Sequence, residues 1–340
     1  MSDIPQLTPV REQHRFDEAA LARYLDATLE GGAAGLSVFQ FEGGQSNPTF
    51  EIRANGHKYV LRKKPPGVLL KSAHAVDREY RIMTALCDSG VPVPRTYLLC
   101  EDESVIGTPF FVMEKVEGRV LSDPLLPNLG VAERRALYDD FLRILARLHA
   151  IDHVAAGLED YGRAGDFYER QISRWSKQYL ASKVTEEPAM NHLMQWLPVN
   201  IPASDSVTIV HGDYRIGNCI VHATEPRVSA VLDWELSTIG HPLADLGYCC
   251  MGYHLFPEQV PEGAPTEQEF LDRYCALAGR GPIQNWRFYM VFTLFRSAAI
   301  SYGVYKRGLD GNASSEHWRD FDVKSQTTAL KAQEILDSQN

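Results

Sequence analysis

Ile209-Val210-His211-Gly212-Asp213-Tyr214-Arg215-Ile216-Gly217-Asn218 is the stretch on which the reading of this chain turns. An apolar lead runs into a carboxylate, and a side-chain amide follows five residues later, each preceded by a glycine. Taken alone it would also suit a solvated turn, because two glycines and two polar residues are what such a turn uses. Downstream, Val228–Leu232 is an apolar, strand-like run that delivers Asp233-Trp234-Glu235, twenty residues after Asp213. A second carboxylate at the end of an apolar run, in this order and at this distance, weighs against the plain turn.

The Asp-to-Asn spacing matches the catalytic-loop pattern H-x-D-x-x-x-x-N of kinases. That chemistry needs the Asp beside an acceptor hydroxyl, to orient it and take its proton, and the Asn within reach of Mg²⁺ from the same loop. Asp213 and Asn218 fit these two roles, and His211 fits the residue that braces the loop. Asp233 stands where kinases hold a second metal ligand, followed by an aromatic as in D-F-G, although here the aromatic is Trp and Glu replaces Gly.

Upstream of this region, Asp17–Leu29 reads as an opening helix with Leu21, Tyr24 and Leu25 on one face. Leu36–Phe41, Thr49–Ala54 and Lys58–Arg62 then read as strands of an antiparallel meander. The last two are joined by Asn55-Gly56, a type I′ hairpin signal because both turn residues need positive φ. Ala73–Leu86 reads as a helix, ended by Val91-Pro92-Val93-Pro94, and Thr96–Cys100 and Phe110–Glu114 as two more strands. Beyond Gly118 the pattern turns helical: Ala132–His149, Asp166–Ala181, Glu267–Ala278, Trp286–Tyr305 and Asp322–Leu336 carry helical spacing. Val207–Asp245 reads as strand and loop. The expected class is α+β, with a small antiparallel β-sheet lobe at residues 1–115 and a larger α-rich lobe at 116–340, hinged near Glu114–Glu117.

The chain has 340 residues, more than one ordinary core, and 34 Lys and Arg against 44 Asp and Glu, a net charge of −10. So acidic a chain is a poor binder of nucleic acid or of anionic membranes, while leaving room for a locally basic pocket that takes an anion. No apolar run is long enough to span a bilayer, and Met1–Arg15 does not read as a signal peptide. Six cysteines without a C-x-x-C pair read as free buried thiols of a cytoplasmic protein. His149 and His153 have a spacing that can bind Zn²⁺, but residue 150 is Ala and no H-E-x-x-H pattern forms; a histidine at a helix C-terminus is the simpler account. The aromatic stretch Trp286, Phe288, Tyr289, Phe292 and Phe295 reads as core, with Arg296 and Tyr302 as candidates to line a substrate pocket.

His211-Gly212-Asp213 with Asn218, Asp233-Trp234-Glu235, and Gly240-His241-Pro242 leading to Asp245-Leu246 together resemble the aminoglycoside phosphotransferase-like family. Choline kinases and homoserine kinases of related type share its fold. The resemblance runs from about Leu36 to Tyr305 and implies a bilobal, protein-kinase-like fold that binds ATP and Mg²⁺. Within the family, Tyr59-Val60-Leu61-Arg62-Lys63-Lys64-Pro65-Pro66-Gly67 is most similar to kinase-like domains fused to acyl-CoA dehydrogenases.

The resemblance assigns the remaining parts. Gly43, Gly44, Gln45, Ser46 and Asn47 resemble the family's nucleotide loop, where glycine lets backbone N–H groups approach phosphate. Arg62 replaces the usual phosphate-binding Lys, with Lys63 or Lys64 as alternatives, and Glu79 resembles its ion-pair partner. Met113, Glu114 and Val116 correspond to the hinge, whose backbone would pair with adenine. Asn218 and Asp233 would hold Mg²⁺, and Arg215 stands where many kinases contact phosphate. Asp245 is expected to support the catalytic loop rather than bind metal.

The expected activity is therefore an ATP- and Mg²⁺-dependent phosphotransferase acting on a hydroxyl of a small molecule. The fusion resemblance points to a hydroxyacyl-CoA-type metabolite as acceptor. The alternatives are a catalytically silent kinase-like binding protein and, with no motif in its favour, an acyl-CoA dehydrogenase. The sequence sets no oligomeric state.

Overall fold

Both residues of the predicted hairpin turn, Asn55 and Gly56, hold positive φ, 50° and 77°, as a type I′ connection requires. The strands that flank this turn pair antiparallel from Thr49↔Arg62 to Ala54↔His57. The computed structural model describes residues 6–42, 47–65, 75–204, 206–311 and 317–338. In chain order the strands are β1 (Leu7–Thr8), β2 (Ser37–Phe41), β3 (Thr49–Ala54), β4 (His57–Lys63), β5 (Thr96–Cys100), β6 (Phe110–Glu114), β7 (Arg119–Val120), β8 (Thr208–Val210), β9 (Cys219–Val221), β10 (Val228–Val231) and β11 (Thr238–Gly240). The helices are α1 (Glu18–Thr28), α2 (Val76–Leu86), α3 (Glu103–Ile106), α4 (Val131–His149), α5 (Phe167–Ser182), α6 (Pro188–Trp196), α7 (Leu243–Leu255), α8 (Glu267–Leu277), α9 (Trp286–Leu309) and α10 (Asp320–Asp337).

The chain divides into two compact units. The first comprises residues 1–161 and 215–237. Its main sheet has the order β1-β2-β3-β4-β6-β5 and is antiparallel throughout. Side chains alternate between the two faces of a strand, and residues directly opposite share a face. Phe50, Ile52, Ala54, Tyr59, Leu61, Phe110 and Val112 therefore gather on one face, where they form a core with Leu21, Leu25 and Leu29 of α1. Each large side chain fully buried there contributes about 1.5–3 kcal/mol. The other face carries Glu51, Val60, Arg62 and Phe111, paired as Glu51↔Val60 and Arg62↔Phe111. A second sheet, β10-β9-β7, completes the unit, with α4 accepting the Val228 N–H on Asp140 at 2.8 Å.

The second unit comprises residues 162–214 and 238–340. β8 and β11 pair antiparallel, Val210↔Thr238 to Thr208↔Gly240. Among the described helices α9 is the most buried: Phe288, Tyr289, Phe292 and Phe295 of the aromatic stretch lie in the core as expected, while Trp286 is only half-buried. No described helix is long and apolar enough to cross a membrane.

The antiparallel sheet and the helical remainder are the α+β class expected. The differences from the sequence reading have physical causes. β1 precedes the expected meander; two residues are too few to leave a periodic signal. The unit limits differ from a boundary at 115/116, because β7 pairs with β9 and draws the segment after Glu117 into the first unit. α7 starts inside the stretch read as strand and loop. It is apolar on most sides, so it lacks a stripe that would mark it as a helix. α6, opened by Pro188 at its first position, was also missed. Of the six free thiols, Cys100, Cys219, Cys250 and Cys275 are buried, but Cys249 is half-buried and Cys87 exposed, against the expectation of six buried thiols.

Candidate functional site

In the first unit, β4 ends by aiming Arg62 at carboxylates from two other elements. Its Nη2 donates to Asp233 Oδ1 at 2.8 Å and lies 3.9 Å from Glu235 Oε2. Its Nε is 3.1 Å from Glu79 Oε2 of α2, yet off the N–H direction, so this contact is an ion pair rather than a directed hydrogen bond. Glu79 is 1% exposed and also accepts from Asn47 Nδ2 at 3.1 Å. The Glu79 carboxyl is held up at about 7: burial raises it most, Asp233 and Glu235 add to the rise, and Arg62 and the Asn47 hydrogen bond oppose it. Burial alone would lower the Arg62 guanidinium, but the three carboxylates outweigh it and hold it above its ordinary value.

Asp233 sits at φ 67°, a left-handed backbone that costs most residues about 1–2 kcal/mol and that Asp tolerates better than most. The turn is pinned from both sides. Trp234 is buried and donates its indole N–H to Val231 O at 3.0 Å, while Ser237 Oγ donates to Trp234 O at 2.6 Å. Arg78 of α2 donates to Ser237 O at 3.3 Å, which ties the helix bearing Glu79 to the turn bearing Asp233. Asn218 is buried, and its carbonyl accepts the Leu232 N–H at 2.8 Å, next to Asp233 in the chain.

Ligand atoms of Glu79, Asp233 and Glu235 all lie within 4.8 Å of one another. Three carboxylates against one guanidinium leave negative charge uncompensated, and the donors are all oxygen. That set suits a hard divalent cation such as Mg²⁺. The sequence pattern points to Asp233; the structure adds Glu235 and Glu79 beside it. Lys63 is not an alternative to Arg62. It is the next residue on the strand, so it faces the opposite side, buried with its Nζ 5.7 Å from the Phe16 ring.

Met113 is buried in β6, and Glu114 is exposed, its carboxylate accepting the Arg95 N–H at 3.2 Å. Val116 lines a cavity of about 220 Å³ together with Phe41, Glu51, Lys115, Gly118 and Ile220. Arg215 is exposed, and its guanidinium lies over Gly217, where a Cβ would come within 2.5 Å of Nη1. Gly43, Gly44, Gln45 and Ser46 lie outside the described residues.

In the second unit, β8 leads into His211, Gly212 and Asp213. Asp245, fully buried in the first turn of α7, accepts the His211 N–H on Oδ2 and the Gly212 N–H on Oδ1, both at 2.7 Å. The Asp213 N–H donates to His211 Nδ1 at 3.2 Å, and the imidazole is wholly buried. Asp245 and His211 thus brace the loop, and Asp213 is left half-buried. Arg296 joins them by donating to Gly212 O at 3.1 Å, with the Trp175 ring 5.8 Å from its guanidinium. Burial lowers the Arg296 pKa, and Arg174 lowers it further, while Tyr248, Asp245 and Asp213 pull the other way. Tyr302, expected near a substrate, instead accepts the N–H groups of Val184 and Thr185 at 3.0 and 3.2 Å.

A broad pocket of about 650 Å³ opens in this unit, lined by Arg163, Arg170, Arg174 and Lys177 beside Asp166 and Glu169. These cations were missed in the sequence. Their signal was present as Arg170, Arg174 and Lys177, spaced four and three along α5.

A family model described as "Phosphotransferase enzyme family" matches residues 37–291. Among solved structures, a Ralstonia eutropha JMP134 protein whose given name places it with the aminoglycoside phosphotransferases is 46% identical, with a TM-score of 0.86 over 94% of this chain and 98% of that one. A thermostable mutant of an aminoglycoside phosphotransferase, solved with AMP-PNP and hygromycin B, is 18% identical with a TM-score of 0.63 over 94% of this chain and 100% of that one, a likeness of fold. Among curated proteins, acyl-CoA dehydrogenase family member 10 of Mus musculus is 46% identical over 92% of this chain and 30% of its own length. Acyl-CoA dehydrogenase family member 11 of Homo sapiens is 44% identical over 93% of this chain and 42% of its own length. The chain thus spans less than half the length of these curated relatives.

Proposed function

We propose, because this chain belongs to the phosphotransferase enzyme family, that it transfers the γ-phosphoryl group of ATP to a hydroxyl of a small, negatively charged acceptor. The carrying observation is the buried group of Arg62, Glu79, Asp233 and Glu235. Asp233 and Asn218, with Glu235 beside them, would hold Mg²⁺, which neutralises phosphate charge when bound. Arg62, oriented by Glu79, would offset charge on the nucleotide, where a fixed cation in low dielectric acts strongly. The cavity at Val116 suits the base, with the Glu114 and Val116 backbone as its partners.

Asp213 is proposed to orient the acceptor hydroxyl and take its proton, with His211 bracing it and Arg215 contacting phosphate. The four cations of the α5 pocket support an anionic acceptor in an otherwise acidic protein. A hydroxyacyl-CoA is such a molecule, and the names of the fused relatives agree with an acyl metabolite. Calorimetric titration of ATP with and without Mg²⁺, followed by an ATP-consumption screen over hydroxyacyl-CoAs, alcohols and amino sugars, tests the reading. ATP binding that is absent, or indifferent to Mg²⁺, would sink it. The purified chain is expected to carry no flavin; a stoichiometric flavin absorbance band would overturn that expectation and favour dehydrogenase chemistry.

Arg62 has two separable roles. Arg62→Ala leaves Glu79 buried without its cation, and breaking a buried pair from one side costs roughly 3–5 kcal/mol. Adding Glu79→Gln in the same molecule should recover most of that stability while ATP affinity stays weak. The urea midpoint and ATP calorimetry read the two quantities. Full recovery of ATP affinity in the double variant would remove Arg62 from the nucleotide site.

A further inference from the structure

We infer that His241 is a positioning residue for phosphoryl transfer, acting through Asp245; this rests on the reading above that the loop from His211 to Asn218 carries the reaction. α7 begins at Leu243, behind Pro242, which makes no side-chain cap. The first N–H of the helix is taken up instead by His241, whose Nδ1 accepts it at 3.2 Å. A ring nitrogen that accepts carries no proton, so the proton belongs on Nε2, which lies 2.9 Å from Ser204 Oγ. The ring is 4% exposed, stacked on Tyr289 at 5.5 Å and 16° and set against Tyr168 at 5.1 Å. Its rotation is therefore fixed, and with it the start of α7. Two residues beyond the capped amide, Asp245 holds the His211 and Gly212 N–H groups at 2.7 Å each. The chain of contacts runs from the His241 ring to the helix start, to the Asp245 carboxylate, to the loop that presents Asp213. Small misplacements of a reacting group are costly, about 10²-fold for 1 Å.

A buried histidine among aromatic rings also contributes packing, and the test separates packing from the atom-specific bond. An Asn side chain can put its oxygen near the position of Nδ1, whereas Gln reaches toward Nε2. Both lose the ring stacking. His241→Asn should therefore rescue most of the Mg·ATP hydrolysis that His241→Gln loses by about tenfold or more, with the KM for ATP unmoved in both. Amide exchange at Leu243, His211 and Gly212 should be faster in the Gln variant than in the Asn variant. If neither variant folds, ¹⁵N spectra of the wild-type protein decide, with the His241 proton expected on Nε2. Equal losses in the two variants, a KM that moves with kcat, equal amide exchange, or a proton on Nδ1 would each overturn the inference. Wild-type protein without Mg·ATP turnover counts against the kinase reading alone, because amide exchange and the tautomer still decide the role of His241.

Discussion

Asp213→Asn is expected to bind Mg·ATP as the wild type does and to lose phosphoryl transfer by about 10²-fold or more, the scale of a positioned general base. Its contact with the His211 ring is made by the backbone N–H, so the substitution leaves the loop's bracing in place. Asp233→Asn is expected to fail in the complementary way, losing the Mg²⁺-dependent part of ATP binding. Asn tolerates the left-handed backbone at this position about as well as Asp, and Arg62 keeps Glu79 and Glu235 as partners. What changes is one anionic oxygen of the group of three carboxylates. ATP calorimetry with and without Mg²⁺ reads binding, and slow ATP hydrolysis stands in for turnover until an acceptor is found. Wild-type Mg·ATP binding by Asp233→Asn would take it out of the metal site. Wild-type transfer by Asp213→Asn would break the catalytic-loop assignment and the kinase reading with it.

The second large effect concerns folding. Asp245→Ala strips two buried N–H groups, those of His211 and Gly212, of their acceptor. Each unsatisfied buried group costs about 1–3 kcal/mol, so the variant should lose roughly 2–6 kcal/mol. Asp245→Asn keeps one accepting oxygen and should fall between the two. Denaturant midpoints in the order wild type, Asn, Ala are the expected result. Equal midpoints would mean that Asp245 is dispensable as a brace.

Much of this was legible in the residues. Asn55-Gly56 announced its hairpin because few residue pairs accept two positive φ values. Thr96–Cys100 and Phe110–Glu114 matched their strands end to end. The ion pair of Arg62 with Glu79 was anticipated from resemblance, and the support of the loop by Asp245 likewise. What escaped had no local signature. β1 is two residues long, and α7 is too evenly apolar to show a helical stripe. The gathering of Glu235 with Glu79 depends on the distant hydrogen bonds of Arg78 and on the backbone of Asp233, neither of which a linear pattern records. Lys63 and Arg62 are neighbours on one strand, so alternation by itself puts them on opposite faces.

The interleaving of the two units bears on how the chain comes into being. Residues 1–161 form most of the first unit, yet β9, β10 and Asp233 arrive only with residues 215–237. On the ribosome the amino-terminal portion emerges first, but its second sheet then holds only β7, and the Arg62–Glu79 pair meets Asp233 only after more than 150 further residues have followed Glu79. Residues 162–214, which belong to the other unit, must be made in between. Neither unit can be completed as a contiguous block. A nascent chain stalled near residue 161 would carry the core of its main sheet without β9, β10 or the carboxylates of Asp233 and Glu235, and a gene fragment cut at that point would encode neither unit whole.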